Sequence, residues 1–183
     1  MKKHKLFCIM AESAAGKDSL TRRLCDELGL KQIISFTTRA RRKGEGDTHI
    51  FVDESVYSDM KESGNMAAYT YINGYHCWTT IEQLYENDIY IIDPAGVKTL
   101  EDLGLEDIDI CSIYINVPFE IRLERAISRG DGYEEFTKRT SSELSQFVEM
   151  KAHGRFDWSV SNLNSDKALE VLKKIIEVET AQN

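Results

Sequence analysis

The stretch from residue 5 to residue 28 constrains the fold of this chain more than any other. A short apolar run, Leu-Phe-Cys-Ile-Met, ends in small residues and is followed by the pair Gly16-Lys17. Behind that pair, leucines recur at positions 20, 24 and 28, which is the spacing of one face of a helix. The pattern predicts a strand, a phosphate-binding loop and a helix in direct succession.

The predicted loop is suited to binding phosphate through its backbone. Successive N–H groups of such a loop surround phosphate oxygens, and the helix N-terminus adds partial positive charge at the same place. The ammonium group of Lys17 would reach the terminal phosphates as a point charge. We therefore expect phosphate contacts from Ala11, Ser13, Ala14, Ala15, Gly16, Lys17, Asp18 and Ser19.

Two residues of the loop depart from the usual pattern, which is Gly, four residues, Gly, Lys and then Ser or Thr. Ala11 replaces the first glycine, and this is harmless if its φ is negative. Asp18 replaces the hydroxyl residue that ordinarily binds Mg²⁺. Asp18 could bind the metal directly or through water, Ser19 could take over that role, or Asp18 could simply complement the helix N-terminus. Asp18 and Ser19 are therefore the candidate magnesium ligands.

Composition limits the function classes that remain. A length of 183 residues suggests one domain, and a net charge of −8 argues against a general nucleic-acid binder. No apolar stretch approaches the roughly 20 residues of a membrane span. The four cysteines form no Cys-x-x-Cys pair, so they are expected to be free thiols of a reducing compartment, which predicts a cytoplasmic protein. A homodimer is compatible with the sequence, which does not fix the oligomeric state.

Residues 35–80 are predicted to form a small antiparallel insertion. A strand at 32–36 leads into a cluster of four positive charges at 39–43, and on an acidic chain this cluster indicates a bound phosphate. A solvated basic loop or a nucleic-acid patch is the alternative. A strand at 49–52, a helix from 53 to 62 and a hairpin at 66–79 around Asn73-Gly74 complete the insertion.

After the insertion, the pattern alternates again between helices and buried strands. A helix is predicted at 81–87, and the strand at 89–93 ends in Asp93. An aspartate there faces the ligand crevice of a parallel sheet, or it caps the following helix. A strand at 110–116 and helices at 119–128 and from 133 onward follow, and the chain closes with a strand at 156–160 and a helix at 168–178.

The two helices around residue 130 resemble a lid. Arg125 and Arg129 lie four residues apart and share a helix face. Gly130 and Gly132 can act as hinges, and Arg139 lies on the second helix. A solvated face with local ion pairs is the alternative for these arginines.

Together these residues resemble the guanylate kinase family of nucleoside monophosphate kinases over nearly the whole chain. The resemblance rests on several short motifs, each weak alone: Ser35-Phe-Thr-Thr-Arg39 with Arg42, Gly44 and Glu45; Phe51-Val52; Asn73-Gly74; Asp93 before Ala95-Gly96-Val97; Leu123-Glu-Arg125 with Arg129; Lys138-Arg139; and Phe156-Asp157 with Asn162. The similarity is greatest to bacterial members whose loop reads Gly-Lys-Asp.

The resemblance implies an α/β phosphate-loop kinase with a parallel core sheet flanked by helices. The core would comprise residues 1–34, 81–125 and 139–183, the monophosphate-binding insertion residues 35–80, and the lid residues 126–138. The implied reaction is transfer of the γ-phosphoryl group of ATP, with Mg²⁺, to a nucleoside monophosphate. The implied catalytic residues are Lys17, Arg125, Arg129 and Arg139, with Asn162 at the ATP site. The expected acceptor-binding residues are Ser35, Arg39, Arg42, His49, Thr79 and Asp93.

The departures from the family concern the residues that read the base. The family glutamate that binds the guanine edge falls at Ala68, and a serine that assists it falls at Thr79. Two phosphate-contacting tyrosines of the family fall at His49 and near Cys77. We therefore expect a weakened preference for GMP or a different acceptor, unless the hairpin register differs from this count. A kinase for another small phosphorylated acceptor and a non-catalytic binding module on the same fold remain the alternatives.

Overall fold

The computed structural model describes residues 3–41, 46, 48–72 and 74–181, so the predictions for Arg42 and Asn73 lie outside the described residues. In chain order the elements are β1 (His4–Met10), α1 (Lys17–Leu28), β2 (Phe36–Thr37), β3 (Ile50–Phe51), α2 (Glu54–Ser63), β4 (Met66–Ile72), β5 (Tyr75–Thr80), α3 (Ile81–Glu86), β6 (Ile89–Ile91), α4 (Pro94–Asp102), β7 (Ile108–Asn116), α5 (Phe119–Ser128), α6 (Tyr133–Ala152), β8 (Trp158–Ser161) and α7 (Ser165–Ala181).

The core is a four-stranded parallel sheet in the order β6-β1-β7-β8, as the α/β prediction required. Side chains of β1 alternate between its two faces. Phe7 and Ile9 pack with helices α1 and α7, whereas Leu6, Cys8 and Met10 pack with α3, α4 and α6. Because helices cover both faces of β1, its residues 6–10 are all apolar and buried.

The insertion forms a second sheet in the order β3-β2-β5-β4, which is mixed, whereas an antiparallel insertion was predicted. The hairpin of β4 and β5 is antiparallel as predicted, and β2 also pairs antiparallel with β5. However, β2 and β3 pair in parallel, Phe36 with Ile50 and Thr37 with Phe51. The long connection between these two short strands lets the chain return in the same direction, which a tight hairpin turn does not.

Strand β4 contains a bulge beside Ala68. Ala67 pairs with Thr79 and Thr70 pairs with Cys77, so Ala68 and Tyr69 together oppose the single residue Trp78. Ala68 has a φ of 49° and is 3% exposed. Ala68, the predicted counterpart of the base-reading glutamate, therefore lies at a one-residue register shift, and its neighbours Ala67 and Tyr69 also carry no carboxylate.

Several predicted boundaries needed correction. The strand predicted at 32–36 lies at Phe36–Thr37, and Gln32 makes only a single parallel bridge to Ile89. Leu28, predicted to share a helix face with Leu20 and Leu24, is exposed, whereas Leu20, Thr21 and Leu24 are buried. The strand predicted to reach Asp93 ends at Ile91. The helix predicted at 119–128 has those bounds.

Cys8 and Cys111 are buried, Cys25 and Cys77 are half-buried, and all four are free thiols. Within the part of the chain that the structure describes, no helix is both long and apolar enough to cross a membrane.

Candidate active site

The phosphate loop joins β1 to α1 in a conformation that small residues permit. Gly16 has a φ of 84° and Ala14 a φ of 62°, both left-handed. Left-handed backbone costs an alanine about 1–2 kcal/mol, so this loop geometry must be held by its surroundings. Ala11 does not have a positive φ, which explains why alanine can replace glycine there.

Asn162 and Arg125 support the phosphate loop through hydrogen bonds to its backbone. Asn162, which is 3% exposed, donates through Nδ2 to the carbonyl oxygen of Ala15 at 2.8 Å. Arg125 donates to the same carbonyl at 3.4 Å and to the carbonyl of Asn162 at 2.7 Å. A Cβ added to Gly16 would lie 2.9 Å from Asn162 Nδ2. Both residues therefore contact the loop backbone, and Arg125 is not among the residues that line the adjoining cavity.

A cavity of about 420 Å³ opens in front of the loop. It is formed by the loop on one side and by the ends of β4, α5 and the first half of α6 on the other. Its lining comprises residues 13–19 together with Ile72, Arg129, Arg139, Ser142 and Glu143. The structure thus brings Lys17, Arg129 and Arg139 around one space, and an anion bound there would face three cationic side chains.

Asp131 holds Arg129 and Arg139 in position. Its Oδ2 accepts hydrogen bonds from Arg129 and from Arg139, each at 2.5 Å. These two bonds outweigh desolvation and hold the pKa of Asp131 below its usual range. Arg139 Nε is buried and has no hydrogen-bond partner in the described part of the chain. A buried N–H without a partner is costly, so this donor fits an anionic ligand such as a phosphoryl group.

Lys17 and Asp18 form an ion pair at the mouth of the cavity. The Lys17 ammonium lies 3.0 Å from Asp18 Oδ2. Desolvation acts in the opposite direction, but Lys17 keeps the pKa of Asp18 below its ordinary value, with a smaller contribution from His49. Mg²⁺ in phosphate sites is bound through one or two carboxylates, phosphate oxygens and water. The ionised and largely exposed Asp18 fits such a site, and the adjacent Ser19 is exposed as well.

Glu143 is a cavity residue that our sequence reasoning missed. Its Oε1 accepts from the backbone N–H of Ser13 at 2.7 Å, and its Oε2 accepts from the Ser13 hydroxyl at 3.1 Å. Burial raises the pKa of Glu143 despite these bonds and the nearby cations. The sequence spacing could have indicated this residue, because Glu143 follows Arg139 by four residues and therefore lies on the same helix face.

The predicted acceptor-phosphate residues lie on the insertion. Ser35 is buried, and its hydroxyl lies 3.1 Å from His49 Nδ1. The Arg39 guanidinium lies over the Phe51 ring, 5.3 Å from its centroid, and donates to the carbonyl of Ala40. The structure therefore brings Ser35 and His49 together, while the place of Arg42 in the predicted clamp stays a prediction.

The predicted base-reading residues are occupied by contacts within the protein. Asp93 caps α4, with Oδ1 accepting from the Gly96 N–H at 2.7 Å, as the capping alternative required. Burial raises its pKa, although the Gly96 N–H and the Thr70 hydroxyl oppose this. The buried Thr79 donates to Gln83 Oε1 at 2.6 Å. Ala68 packs in the apolar cluster with Tyr90 and Val97, so its position carries no hydrogen-bonding side chain.

Comparison with known proteins gives the family. The family model described as guanylate kinase matches residues 3–179. The chain belongs to the guanylate kinase family. It is 33% identical to the guanylate kinase of Coxiella burnetii, covering 100% of this chain and 91% of that protein, and 29% identical to that of Chlamydia muridarum, covering 93% and 86%.

The fold agrees with this assignment. The crystal structure of guanylate kinase from Anaplasma phagocytophilum superposes with a TM-score of 0.67 at 18% identity, covering 97% of this chain and 87% of that one. Membership of the guanylate kinase family implies an ATP-dependent nucleotide kinase.

Proposed function

We propose that this protein transfers the γ-phosphoryl group of ATP to a nucleoside monophosphate, with a reduced preference for guanine. The proposal rests on one observation, which is that Lys17, Arg129 and Arg139 line the same cavity. Phosphoryl transfer depends on positioning and on neutralising phosphate charge rather than on covalent chemistry. Three cations from separate elements around one space supply that neutralisation.

On the donor side, Lys17 and the loop N–H groups bind the phosphates of ATP, except those of Ser13 and Ala15, which bond Glu143 and the Glu12 carbonyl. Arg125 and Asn162 keep the loop in its binding conformation. Arg129 and Arg139 contact the phosphoryl group as it is transferred, with Asp131 fixing their positions. Asp18, assisted by Ser19, would hold Mg²⁺, which supplies charge neutralisation at the phosphates when it is bound.

On the acceptor side, Ser35, Arg39, Arg42 and His49 bind the phosphate of the monophosphate. The arginine forks match phosphate oxygens in pairs. In this assignment residues 35–80 bind the acceptor, residues 126–138 form the lid, and the remainder is the core. The contact of Ile72 with the donor cavity supports the assignment, because it brings the end of β4 close to the phosphate loop.

The residues at the predicted base-reading positions support reduced selectivity for guanine. A site that reads a base edge through hydrogen bonds rejects other bases because its polar groups would be left unpaired. Ala68 offers no such group, and the hydroxyl of Thr79 is already paired with Gln83. Asp93 is a carboxylate among the predicted acceptor-binding residues, but one of its oxygens caps α4. This loss also favours the second candidate, a kinase for a different small phosphorylated acceptor.

The experiment that tests the proposal follows the γ-phosphate directly. Radiolabelled γ-phosphate ATP is incubated with Mg²⁺ and each nucleoside monophosphate, and the products are separated. Label in a nucleoside diphosphate supports the proposal, and this label should disappear in Lys17→Ala but persist in Lys98→Ala. Lys98 is the matched control because it forms an exposed pair with Asp102 on α4. ATP binding without label transfer to any acceptor would favour the non-catalytic module.

A further inference from the structure

Arg122 of α5 is a buried cation behind the phosphate loop that the proposed reaction does not use. Its side chain is 6% exposed, and each of its three nitrogens donates to a different acceptor. Nη2 donates to Glu12 Oε1, Nη1 to the Ser13 carbonyl oxygen and Nε to the Val117 carbonyl oxygen, each at 3.2 Å. Two of these acceptors belong to consecutive residues of the loop.

The buried carboxylate of Glu12 also has several hydrogen-bond and ion-pair partners. Its Oε2 accepts from the Tyr114 hydroxyl at 2.7 Å, and Lys151 Nζ of α6 lies 3.4 Å from its Oε1. Burial and the bond to Glu12 raise the pKa of Tyr114, so its hydroxyl remains a donor. The carboxylate of Glu12 therefore has partners from β7, α5 and α6, and it cannot change position without leaving a buried charge unpaired.

The bonds of Arg122 orient the peptide groups around Ser13. The carbonyl of Ser13 points back to Arg122, while its N–H and hydroxyl point into the cavity, where Glu143 accepts both. A planar guanidinium fixes several acceptors in one geometry, which a lysine ammonium does not. A loop held in this orientation before the ligand arrives has less conformational entropy to lose on binding.

We propose that Arg122 is a positioning residue that sets the conformation of the phosphate loop through Glu12 and Ser13. Through this conformation it raises the affinity for the phosphates of ATP, without contacting ATP itself. The inference rests on the proposed function only in that the loop binds ATP.

The test measures ATP binding by titration calorimetry in the wild-type protein, Arg122→Lys and Arg155→Met, with GMP as the acceptor probe. Arg122→Lys keeps the positive charge beside Glu12 but loses the planar guanidinium that donates to three acceptors at once. We expect its dissociation constant for ATP to rise about tenfold, a factor that corresponds to 1.4 kcal/mol, and that for GMP to stay within about twofold. Arg155→Met should match the wild type, because Arg155 forms an exposed pair with Glu149. Unchanged ATP binding in Arg122→Lys, or equal weakening for ATP and GMP, would overturn the inference.

A double variant separates loop geometry from stability. Arg122→Met leaves Glu12 short of a buried partner and should unfold at lower temperature, whereas Glu12→Gln with Arg122→Met removes both charges. The inference expects the double variant to unfold at a higher temperature than Arg122→Met but to bind ATP no better, and recovery of ATP affinity would overturn it. If the wild-type protein does not bind ATP, the proposed function itself is refuted. If the wild-type protein binds ATP and the variants bind it equally well, only the role of Arg122 is refuted.

Discussion

Gly16→Ala is the substitution that most sharply tests how the phosphate loop is built. The added Cβ would lie 2.9 Å from Asn162 Nδ2 and 3.8 Å from Arg125 Nη1, at a φ of 84°. Asn162 cannot simply rotate away, because it is 3% exposed and its Nδ2 bonds the Ala15 carbonyl. The substitution therefore combines a strained backbone with the loss of a buried hydrogen bond.

The magnitude follows from these two parts. Left-handed backbone costs an alanine about 1–2 kcal/mol, and leaving a buried polar group unpaired costs about 1–3 kcal/mol. We expect Gly16→Ala to lose about 2–5 kcal/mol of unfolding free energy by summing these ranges. ATP affinity should fall as well, because the loop can no longer hold its conformation.

Gly29→Ala is the matched control. Gly29 ends the same helix with a φ of 68°, and a Cβ added there meets nothing within 4 Å. The Gly29→Ala variant has the left-handed backbone strain without a close contact of the new Cβ, so it should lose only about 1–2 kcal/mol of unfolding free energy. Urea unfolding of both variants measures the difference. If Gly16→Ala were no less stable than Gly29→Ala, and bound ATP equally well, the role of Asn162 in supporting the loop would be refuted.

Three further substitutions test individual charges. Lys17→Ala should lower kcat about 100-fold or more and change stability by less than about 1 kcal/mol, because its pair with Asp18 is exposed; near wild-type turnover would reject its catalytic role. Asp18→Ala should raise the Mg²⁺ concentration needed for half-maximal rate, and an unchanged curve would leave Asp18 as a helix-terminal charge only. Asp131→Asn should lessen the loss of stability in acid. The pKa of Asp131 in the folded protein lies below its unfolded-state pKa of about 3.9, so its carboxylate stabilises the fold above that pH. This contribution to the unfolding free energy is lost as the pH falls through the folded-state pKa. Parallel stability–pH curves for Asp131→Asn and the wild type would contradict the two arginine bonds.

The parts of the fold that the sequence predicted are those encoded by local patterns. The strand-loop-helix unit ending at Gly29 and the helix at 119–128 follow from apolar spacing and helix-stop signals. The parallel pairing of Phe36 with Ile50 could not be predicted, because two-residue strands carry no periodicity. The same holds for the bulge at Ala68, since alanine gives no sign of a left-handed backbone.

The candidate site was predictable to a similar extent. The motif at Lys17 and the arginines on adjacent helices indicated a shared phosphate cavity, and the structure brings Lys17, Arg129 and Arg139 around one. Arg122 and Glu143 were missed because a buried charge looks like a surface charge until its partners from distant elements are known.

The measurement that tests the account most directly is catalytic efficiency across a panel of acceptors. The central proposal is that the machinery for phosphoryl transfer is retained while Ala68, the predicted guanine-reading position, is apolar and buried. Values of kcat/KM would be determined for GMP, dGMP, AMP, dAMP and the pyrimidine monophosphates at saturating ATP and Mg²⁺. The account predicts turnover of at least one monophosphate, with a preference for guanine below about a thousandfold on the scale set by hydrogen-bonding sites. A larger preference for guanine, or no turnover of any monophosphate, would contradict it.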